Sequence, residues 1–544
     1  MDTQIAKDMA VVDAAAWADV NKIKLQDGVW SFDGRPYLIE PLQSQLRRAP
    51  KLFCVMKATQ LGFTELMVVR ILWGLIHKYY KRGALYLFPT RDDVGEFSKS
   101  RFGPLIQANP TAIGQFVKDT QSKTDSVFLK RVNGSNLFMR SGNLPKRIEI
   151  DAREAAGLRS ISVDVVVYDE YDLMDPDVRG KASARLDASD VAEQYFISNP
   201  TIPGFGIALT YDESDQRHWF RACKCGEWTC AELEFPNCVE LGSDHKGYIA
   251  CKGCGKPVGM DRGEWVPARP ENSDHMWGYQ LSQLSSPTKD PYDILKLYNN
   301  PPEGNLGDVV RMKLGLPYIS AEDKLTVQQV LSCCGDGLQL NSHPGPCAMG
   351  VDQRRHKNVV IGIRSGRDRY KILRVARVTD WDDVMALAKR FNVKSCVVDI
   401  RPYEDSARQF QKSAKFKTWL CEYSESTAVG TQYSDQTGLV KVNRTEILDS
   451  THRLVASEKM LEIPKCTPEV KQFAVECAAT AKVEEINKRT RTPVFRYRKV
   501  GTNPDDYRHA LNYFYLAASG GKIAVSGGRR KNRPTHANND YVRC

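Results

Sequence analysis

Short apolar runs alternate with longer amphipathic stretches between residues 51 and 205. The stretches at 65–79 and 91–106 carry apolar residues at helical spacing. The runs have the length and composition of buried strands and lie at 52–56, 84–88, 137–140, 163–168 and 194–198. Strands that alternate with helices predict an α/β domain, with a mostly parallel sheet and helices on both faces.

A different pattern begins at about residue 346. A helix is expected at 381–391, and strands are expected at 348–352, 359–364, 370–378 and 395–400. Three strands in hairpin order, then a helix and a strand, predict a second domain of mixed helices and strands. Residues 215–268, between the two patterns, are rich in Cys, Gly and Trp and show little helical periodicity.

Composition narrows the class of protein. The chain has 544 residues, 42% of them hydrophobic and 26% charged, so we expect about three or four globular domains. The longest apolar run, 66–76, is interrupted by Arg70 and is shorter than the roughly 20 residues of a membrane span. The first residues lack the pattern of a signal peptide. We expect a cytosolic protein without a membrane partner.

The net charge indicates a class of binding partner, and the cysteines indicate a kind of site. Lys and Arg number 77 against 66 Asp and Glu, a net charge of +11 that favours a polyanionic partner such as nucleic acid. Fifteen cysteines in a cytosolic chain do not suggest a disulfide framework. Six of them fall between residues 223 and 254, which suggests a metal site.

A candidate phosphate loop follows the first predicted strand. The segment KATQLGFTE at 57–65 leads into an apolar helix, so backbone N–H groups and the helix dipole would face an anion. Gly62 and Thr64 fit the usual P-loop pattern, but Lys57 stands at its first glycine and Phe63 at its lysine. The alternative is an ordinary strand-to-helix turn with a surface lysine.

Two carboxylates follow the strand at 163–168. Asp169 is suited to hold Mg²⁺, and Glu170 to polarise the attacking water. A later strand, 195–198, runs into the polar segment 199–201, which is placed to couple the state of the γ-phosphate to motion. The order of these segments predicts an ATPase.

Four cysteines form two knuckles in the Cys-rich segment. Thiolates in this spacing suit a closed, structural zinc site, with Gly255 permitting the second turn. The expected ligands are Cys223, Cys225, Cys251 and Cys254, with Cys230, Cys238 and His218 as spare candidates. The alternative is a small β-rich insert with free cysteines.

The C-terminal half places acids at three ends of predicted elements. Asp352 and Asp399 end two strands, and Asp505 and Asp506 open a late helix. This order matches the ribonuclease H-like arrangement, in which such a cluster binds two Mg²⁺ or Mn²⁺ ions. Aspartates at strand ends and helix caps are also common without a metal. Either Asp505 or Asp506 could be the ligand, and His509 could be a ligand or could support one.

The combination resembles the large terminase subunit of tailed bacteriophages, within its lambda-type branch. In that branch the phosphate-loop lysine also stands at the start of the loop. The resemblance spans about residues 30–520, and its further matching segments are 86–90, 157–162, 168–174, 198–201, 278–284 and 314–318.

This resemblance implies an activity and roles for residues. The protein would use ATP to move double-stranded DNA through the portal into a procapsid, and would cut concatemeric DNA with Mg²⁺ or Mn²⁺. ATP would be bound by Lys57, Gly62, Thr64 and Asp169, with Glu170 as the catalytic carboxylate, Gln43 reading adenine and Arg159 as an arginine finger. The nuclease ligands would be Asp352, Asp399 and Asp506, with Asp505 as the competing candidate.

The expected partners and domains follow from the residue patterns and from the resemblance together. Partners would be DNA, the portal, a small terminase subunit and further copies in a ring, in the host cytoplasm and transiently at the portal vertex. The expected domains are an N-terminal segment 1–50, an ATPase domain 51–210, a zinc-ribbon-like insert 211–268, a connector 269–345, a nuclease domain 346–522 and a basic flexible tail 523–544 that aids portal or DNA engagement.

Three other functions compete with this interpretation. The first is an ATP-dependent translocase or helicase with an inactive nuclease domain. The second is a non-enzymatic DNA-binding or scaffold protein whose phosphate loop is dead. The third is a transposase or resolvase, which would leave Lys57 and the pair Asp169–Glu170 without a role.

Overall fold

The computed structural model divides the chain into two compact units. One comprises Met1–Ser320 and Val500–Thr502, and the other comprises Ala321–Lys499 and Asn503–Cys544. The residues that the structure describes are 3–25, 28–46, 49–117, 127–143, 161–302, 305–320, 322–424, 430–486 and 493–520. Within these residues no helix is both long enough and apolar enough to cross a membrane.

A ten-stranded sheet forms the centre of the first unit. Its strands are β1 Leu52–Lys57, β2 Ala84–Phe88, β3 Leu129–Val132, β4 Ser135–Ser141, β5 Val165–Asp169, β6 Glu193–Ser198, β7 Arg217–Ala222, β8 Trp228–Thr229, β9 Gly263–Pro267 and β10 Met276–Leu281. The order is β8-β7-β10-β1-β6-β5-β2-β4-β3, with β9 also on β7. The pairs from β7 through β4 are parallel, which confirms the prediction of a mostly parallel sheet.

Apolar cores lie on both faces of this sheet. Alternate residues of β1 enter different cores: Phe53 packs with the helix Phe63–Ile76, and Cys54 packs with the helix Gly206–Asp212. The expected helix at 91–106 consists of Arg91–Phe97, a π-helical turn and Gly103–Ala108. The N-terminal segment contributes Trp17 and Tyr37 to the first core, so it is part of this unit.

The expected insert and connector differ from the structure. Strands β7 and β9 extend the main sheet, so the Cys-rich part of 211–268 is the segment between them. Strand β10 lies within the expected connector, yet it pairs with β1 and is buried along its length. Its sequence, MWGYQL, lacks the β-branched residues that mark a buried strand, which explains why the pattern missed it.

An eight-stranded mixed sheet forms the centre of the second unit. Its strands are β11 Cys347–Gln353, β12 Lys357–Arg364, β13 Tyr370–Val378, β14 Val393–Asp399, β15 Lys417–Ser424, β16 Gln432–Ser434, β17 Leu439–Asn443 and β18 Leu461–Glu462. The order is β16-β17-β15-β14-β11-β12-β13-β18. The helices Trp381–Arg390 and Glu404–Ser413 pack on one face of the sheet, and Arg444–Ala456, Pro468–Cys477 and Asp506–Gly520 pack on the other.

The second unit begins earlier than expected. The helix Val327–Leu331, placed in the connector by the sequence, packs its Val330 into the same core as the helix Asp506–Gly520. The connector therefore divides between the two units near residue 320. The helix has only five residues, and the polar residues Gln328 and Gln329 within it obscure its apolar face in the sequence.

Candidate active sites

Lys57 is the cation of the candidate nucleotide site. It is the last residue of β1, it is buried, and its Nζ atom lies 3.5 Å from Oε1 of Glu170. Phe63, which occupies the usual lysine position, lies in the apolar core and stacks near Tyr37. A lysine at position 63 would have to point into that core, so Lys57 is the residue suited to meet the phosphates.

The loop after Lys57 is braced from one side. The N–H of Ala58 donates to the carbonyl oxygen of Leu281, and the Gln283 amide donates to Thr59. Gly62 has a φ of 85°, a left-handed conformation that glycine adopts without strain, and the helix Phe63–Ile76 starts directly after it. The first N–H groups of a helix lack intrahelical partners, so this end of the loop suits an anion.

Asp169 ends β5 beside the start of that helix. The hydroxyl of Tyr86 donates to its Oδ2 at 2.9 Å. Burial, followed by the charge of Glu170, raises the pKa of Asp169 to about 6, while Lys57, Tyr86 and the Thr64 hydroxyl lower it. A buried carboxylate next to a threonine hydroxyl is the donor pair that holds Mg²⁺ in phosphate-loop enzymes.

Glu170 is held in a strained backbone conformation. Its φ and ψ are 58° and 53°, a left-handed region that is costly for a residue with a side chain. Its side chain is 40% exposed, and its Oε2 accepts a hydrogen bond from the N–H of Asn199 at 3.4 Å. This conformation places the Glu170 carboxylate at the carboxyl end of β5, next to the ammonium group of Lys57.

Asn199 joins the two sides of this site. It follows β6, the strand between β1 and β5, and its side-chain amide donates to the carbonyl oxygens of Lys57 at 3.0 Å and Arg311 at 2.7 Å. The residue therefore contacts both the phosphate-loop strand and the carboxylate of Glu170. The sequence marked the polar segment 199–201 but did not distinguish Asn199 within it.

Of the remaining nucleotide-site candidates, Gln43 lies in the described part of the chain. The side-chain amide of Gln43 donates to Oδ2 of Asp13 at 2.7 Å, and the preceding carbonyl, of Leu42, accepts from Arg70. The hydrogen bonds found for Gln43 among the described residues do not include one to the phosphate loop. Arg159 and the basic tail lie outside the described residues.

The four predicted zinc ligands converge. Among the described residues, Cys223, Cys225, Cys251 and Cys254 form the group of metal-binding side chains whose ligand atoms all lie within 4.8 Å of one another. The Sγ atoms of Cys223 and Cys254 are 3.7 Å apart, and those of Cys225 and Cys251 are 3.6 Å apart. Tetrahedral zinc with bonds of about 2.3 Å needs separations of about 3.8 Å, so the thiols fit the ion.

Local geometry favours a thiolate at Cys251, whereas hydrogen bonding to the other three thiols raises the pKa of Cys225. The N–H groups of Cys254 and Gly253 point at Cys251 and lower its pKa to about 6. Gly255 supplies the left-handed turn, with a φ of 69°. The spare candidates lie outside the group: burial raises the pKa of the Cys238 thiol to about 12, and this thiol donates to the carbonyl oxygen of Ala231.

Asp352 and Asp399 lie side by side in the second unit. Val351 on β11 pairs with Val398 on β14, so the following aspartates are neighbours on adjacent parallel strands. Asp352 is 1% exposed, and neither of its carboxylate oxygens has a hydrogen-bond partner among the described residues. Burial, and then the charges of Asp399 and Asp506, raise its pKa well above the ordinary value. The charged form of such a buried carboxylate is costly unless a bound cation compensates its charge.

Gly350 brings the third acid to this pair. A Cβ atom at Gly350 would collide with the backbone nitrogen of Phe514, so only glycine allows the helix Asp506–Gly520 to pack directly on β11. The first residue of that helix is Asp506, whose pKa is raised by burial and then by Glu476 and Asp505. Among the described residues, these carboxylates are not part of a group whose ligand atoms all lie within 4.8 Å of one another.

Asp505 differs from the other three acids. Burial raises its pKa, but the hydrogen bond and charge of His509 outweigh burial and lower the pKa to about 2. The Nε2 atom of His509 lies 3.4 Å from Oδ2 of Asp505. Asp399, by contrast, has a raised pKa because of burial and accepts a hydrogen bond from the N–H of Arg401.

The sequence missed residues that support these sites. Tyr86 was assigned only to an apolar strand, because a hydroxyl in such a run carries no positional signal. Glu476 is fully buried and accepts hydrogen bonds from Arg377 and from the N–H of Tyr507, next to Asp506. Its only signal was a charged residue on the apolar face of a helix.

Comparisons with known proteins relate the first unit of the chain to a protein family. The parallel sheet carries a candidate phosphate loop at its strand ends, an arrangement typical of phosphate-binding α/β units. Residues 25–266 match the family described as the ATPase domain of the phage terminase large subunit gpA. The resemblance of the chain to the large terminase subunits of phages is thereby confirmed.

Solved structures are similar at low sequence identity. The large terminase of the HK97 bacteriophage is 10% identical with a TM-score of 0.51, and the match covers 92% of this chain and 98% of that chain. The large terminase of a thermophilic bacteriophage is 11% identical with a TM-score of 0.29, covering 86% and 93%. The HK97 likeness bears on the fold alone. No curated protein sequence matches the chain.

Proposed function

We propose that this protein is the ATP-driven motor that moves double-stranded viral DNA through the portal into a procapsid, and that it also cuts concatemeric DNA. The observation that carries the proposal is the arrangement of Lys57, Asn199 and Glu170. These three residues lie at the carboxyl ends of three adjacent parallel strands, at the edge of the sheet where the candidate phosphate loop begins.

The ATPase site would work as follows. Lys57 and the N–H groups at the start of the helix Phe63–Ile76 bind the phosphates. Thr64 and Asp169 hold Mg²⁺, which when bound neutralises charge on the phosphates. Glu170 accepts a hydrogen bond from the attacking water and aligns it with the γ-phosphate. Asn199, through its contacts to Lys57 and Glu170, reports the state of this site to the segment around Arg311.

The nuclease site would use the acids of the second unit. Asp352, Asp399 and Asp506 hold Mg²⁺ or Mn²⁺, which when bound activate water and stabilise the leaving oxygen of a cut phosphodiester. The proposal is supported by the two unpartnered, buried oxygens of Asp352. A translocase with an inactive nuclease is the second candidate, favoured by the finding that, in the described part of the chain, the four cysteines and not these acids form a group whose ligand atoms all lie within 4.8 Å of one another.

The four cysteines would hold a structural zinc ion. All four ligand positions are taken by Sγ atoms, which leaves no position for a reacting water. The ion would fix the segment between β7 and β9.

Partners and location follow from the proposed role. The motor would act in the host cytoplasm as a ring of copies, docked transiently at the portal vertex and supplied with DNA by a small terminase subunit. The net charge of +11 favours DNA contacts through phosphates, so binding would weaken with salt. The tail at 523–544 would aid portal or DNA engagement.

DNA-stimulated ATP hydrolysis tests the ATPase part of this proposal. The wild-type protein should hydrolyse ATP, and Glu170→Gln, which keeps the size of the side chain but removes its charge, should bind ATP and fail to turn it over. Wild-type protein that neither binds nor hydrolyses ATP would contradict the proposal and favour the scaffold function.

A further inference from the structure

The Cys-rich segment between β7 and β9 holds the turn that follows β10. Oε1 of Glu232 accepts three hydrogen bonds from this turn: from the N–H of Ser282 at 3.1 Å, from the Ser282 hydroxyl at 2.8 Å and from the Ser285 hydroxyl at 2.9 Å. Both serines are buried. Glu232 lies in the short helix Ala231–Glu234, between the two pairs of cysteines. A carboxylate of the Cys-rich segment therefore fixes the turn.

Arg221 holds the same turn from β7. It is buried, it stands two residues before Cys223, and its guanidinium donates to the carbonyl oxygen of Leu284 at 2.9 Å and to the Ser285 hydroxyl at 2.8 Å. Because the Ser285 hydroxyl accepts from Arg221, its own proton serves the bond to Glu232. The hydroxyl thus joins a cation and a carboxylate, and a buried network of this kind specifies one conformation of the turn.

The turn in its own right positions the phosphate loop. Nε2 of Gln283, which is buried, donates to the carbonyl oxygen and to the hydroxyl of Thr59, each at 3.0 Å. The Thr59 hydroxyl donates to the carbonyl oxygen of Met312, so it accepts from Gln283. One residue earlier, the N–H of Ala58 donates to the carbonyl oxygen of Leu281 at 2.9 Å. Two successive residues of the loop are therefore held by the end of β10 and the turn after it.

The four-cysteine group is attached to the residues that hold the turn. Cys223 follows Arg221 closely in the chain, and Arg221 pairs with Thr229 of β8. The Thr229 hydroxyl accepts from the N–H of Lys252 at 3.4 Å, and Lys252 follows Cys251. A zinc ion bound by the four thiols would fix these two attachments relative to each other.

We propose that the zinc-binding segment preorganises the phosphate loop, with Glu232 as the positioning residue of the contact, so that zinc and ATP bind cooperatively. The inference rests on the proposed ATPase and zinc sites. A loop that is already ordered loses less conformational freedom when nucleotide binds. By linkage, each ligand must raise the affinity for the other by the same factor, and couplings of this kind usually amount to about 5–150-fold.

Equilibrium binding to the full-length wild-type protein tests the coupling. Zinc affinity is measured by competition with a chromogenic zinc chelator, with and without a non-hydrolysable ATP analogue and Mg²⁺. The analogue should raise the zinc affinity about 5–150-fold. Analogue affinity, measured by calorimetry on the zinc-loaded and the zinc-free protein, should change by the same factor.

Matched variants test the role of Glu232. Glu232→Ala should lose most of the coupling and raise KM for ATP, with kcat kept, because the catalytic groups are intact once nucleotide is bound. Glu232→Gln should retain much of the coupling, since its Oε1 still accepts hydrogen bonds from the two serines. Ser285→Ala is a milder variant that should lose part of it. Glu240→Ala, an exposed position in the same segment, is the control, and thermal unfolding checks that each variant is folded.

The outcomes that would overturn the inference are distinguishable. Wild-type protein that binds zinc and the analogue with independent affinities would overturn it and leave the ATPase and zinc proposals intact. Full coupling in Glu232→Ala would show that Glu232 is not the positioning residue. Wild-type protein that holds no zinc, or binds no analogue, would overturn that part of the proposed function together with this inference.

Discussion

The Nζ atom of Lys57 lies 3.5 Å from Oε1 of Glu170, although 113 residues separate them in the sequence. The pair joins the two halves of the proposed ATPase site: the residue that would bind phosphate and the residue that would align water. A phosphate would compete with Glu170 for the ammonium group of Lys57. Binding of ATP would thus release the carboxylate for its role in hydrolysis.

Loss of the Lys57 ammonium should abolish most ATP hydrolysis. We expect Lys57→Ala to lower turnover about 10²–10³-fold, the usual effect of removing one group that stabilises transition-state charge. The matched control is Lys51→Ala, just before the start of the same strand, where the exposed side chain donates a hydrogen bond to the carbonyl oxygen of Asp190. Equal loss in both variants, measured by phosphate release, would refute the assignment of Lys57.

The pH dependence of ATP hydrolysis should report Asp169. Its folded-state pKa is raised to about 6, so the carboxylate is ionised above that pH and protonated below it. Mg²⁺ needs the ionised form, and hydrolysis should therefore fall as the pH drops through about 6. Because Mg²⁺ and the proton compete for the same oxygen, raising the Mg²⁺ concentration should move the midpoint to lower pH. A pH midpoint that does not change with the Mg²⁺ concentration would mean that another group titrates.

The raised pKa of Asp169 also affects the stability of the fold, but low pH favours the folded state where it disfavours ATP hydrolysis. A raised pKa means that the fold favours the protonated acid, so the stabilisation from Asp169 is complete below about pH 4 and is lost as the pH rises through about 6. Replacement by asparagine removes the buried charge, and Asp169→Asn should unfold at a higher temperature than wild type at pH 7. A lower unfolding temperature in that variant at pH 7 would contradict the raised pKa.

The cysteine group should bind one zinc ion per chain. Elemental analysis of the purified protein should find zinc, and Cys223→Ser should lose it together with part of the stability of the first unit, since a structural zinc contributes to folding. Cys466→Ser is the control, because Cys466 is exposed and lies in the second unit. Full zinc content in Cys223→Ser would show that these thiols are not the ligands.

A buried ion pair behind the phosphate loop should be important for stability. Arg70 is fully buried and pairs with Glu193 at 3.1 Å, which also accepts hydrogen bonds from Tyr79, Tyr80 and Tyr195. Removing one partner leaves an uncompensated buried charge, so Arg70→Met should lower the free energy of unfolding by about 3–5 kcal/mol.

The control for this ion pair is Arg82→Met. Arg82 pairs with Asp164 at 4.0 Å and is half exposed, and exposed pairs contribute about 0–1 kcal/mol. Urea unfolding followed on the first unit measures both variants. A comparable loss in the two would mean that burial does not distinguish the pairs.

Local patterns made much of the fold predictable, and long-range pairing set the limit. Periodicity located β1, β2, β5 and β6, because each is a short and mostly apolar run. It could not show that β10 lies beside β1, since the pairing joins segments more than 200 residues apart and the strand lacks β-branched residues.

The candidate sites were also predictable only where local sequence was enough, and not where long-range contacts decide. Spacing alone singled out the four cysteines, and position at strand ends singled out Asp352 and Asp399. The roles of Asn199 and Glu232 depend on three-dimensional contacts, to Glu170 in one case and to Ser282 and Ser285 in the other. Nothing in the local sequence encodes those contacts.

The central claim is that one chain contains two separable hydrolytic sites. The most direct measurement compares ATP hydrolysis and Mn²⁺-dependent plasmid cleavage in wild type, Lys57→Ala and Asp352→Ala. We predict that Lys57→Ala loses ATP hydrolysis and still cuts DNA, and that Asp352→Ala loses cleavage and still hydrolyses ATP. Cleavage that persists in Asp352→Ala, or an absence of ATP hydrolysis in the wild type, would contradict the account.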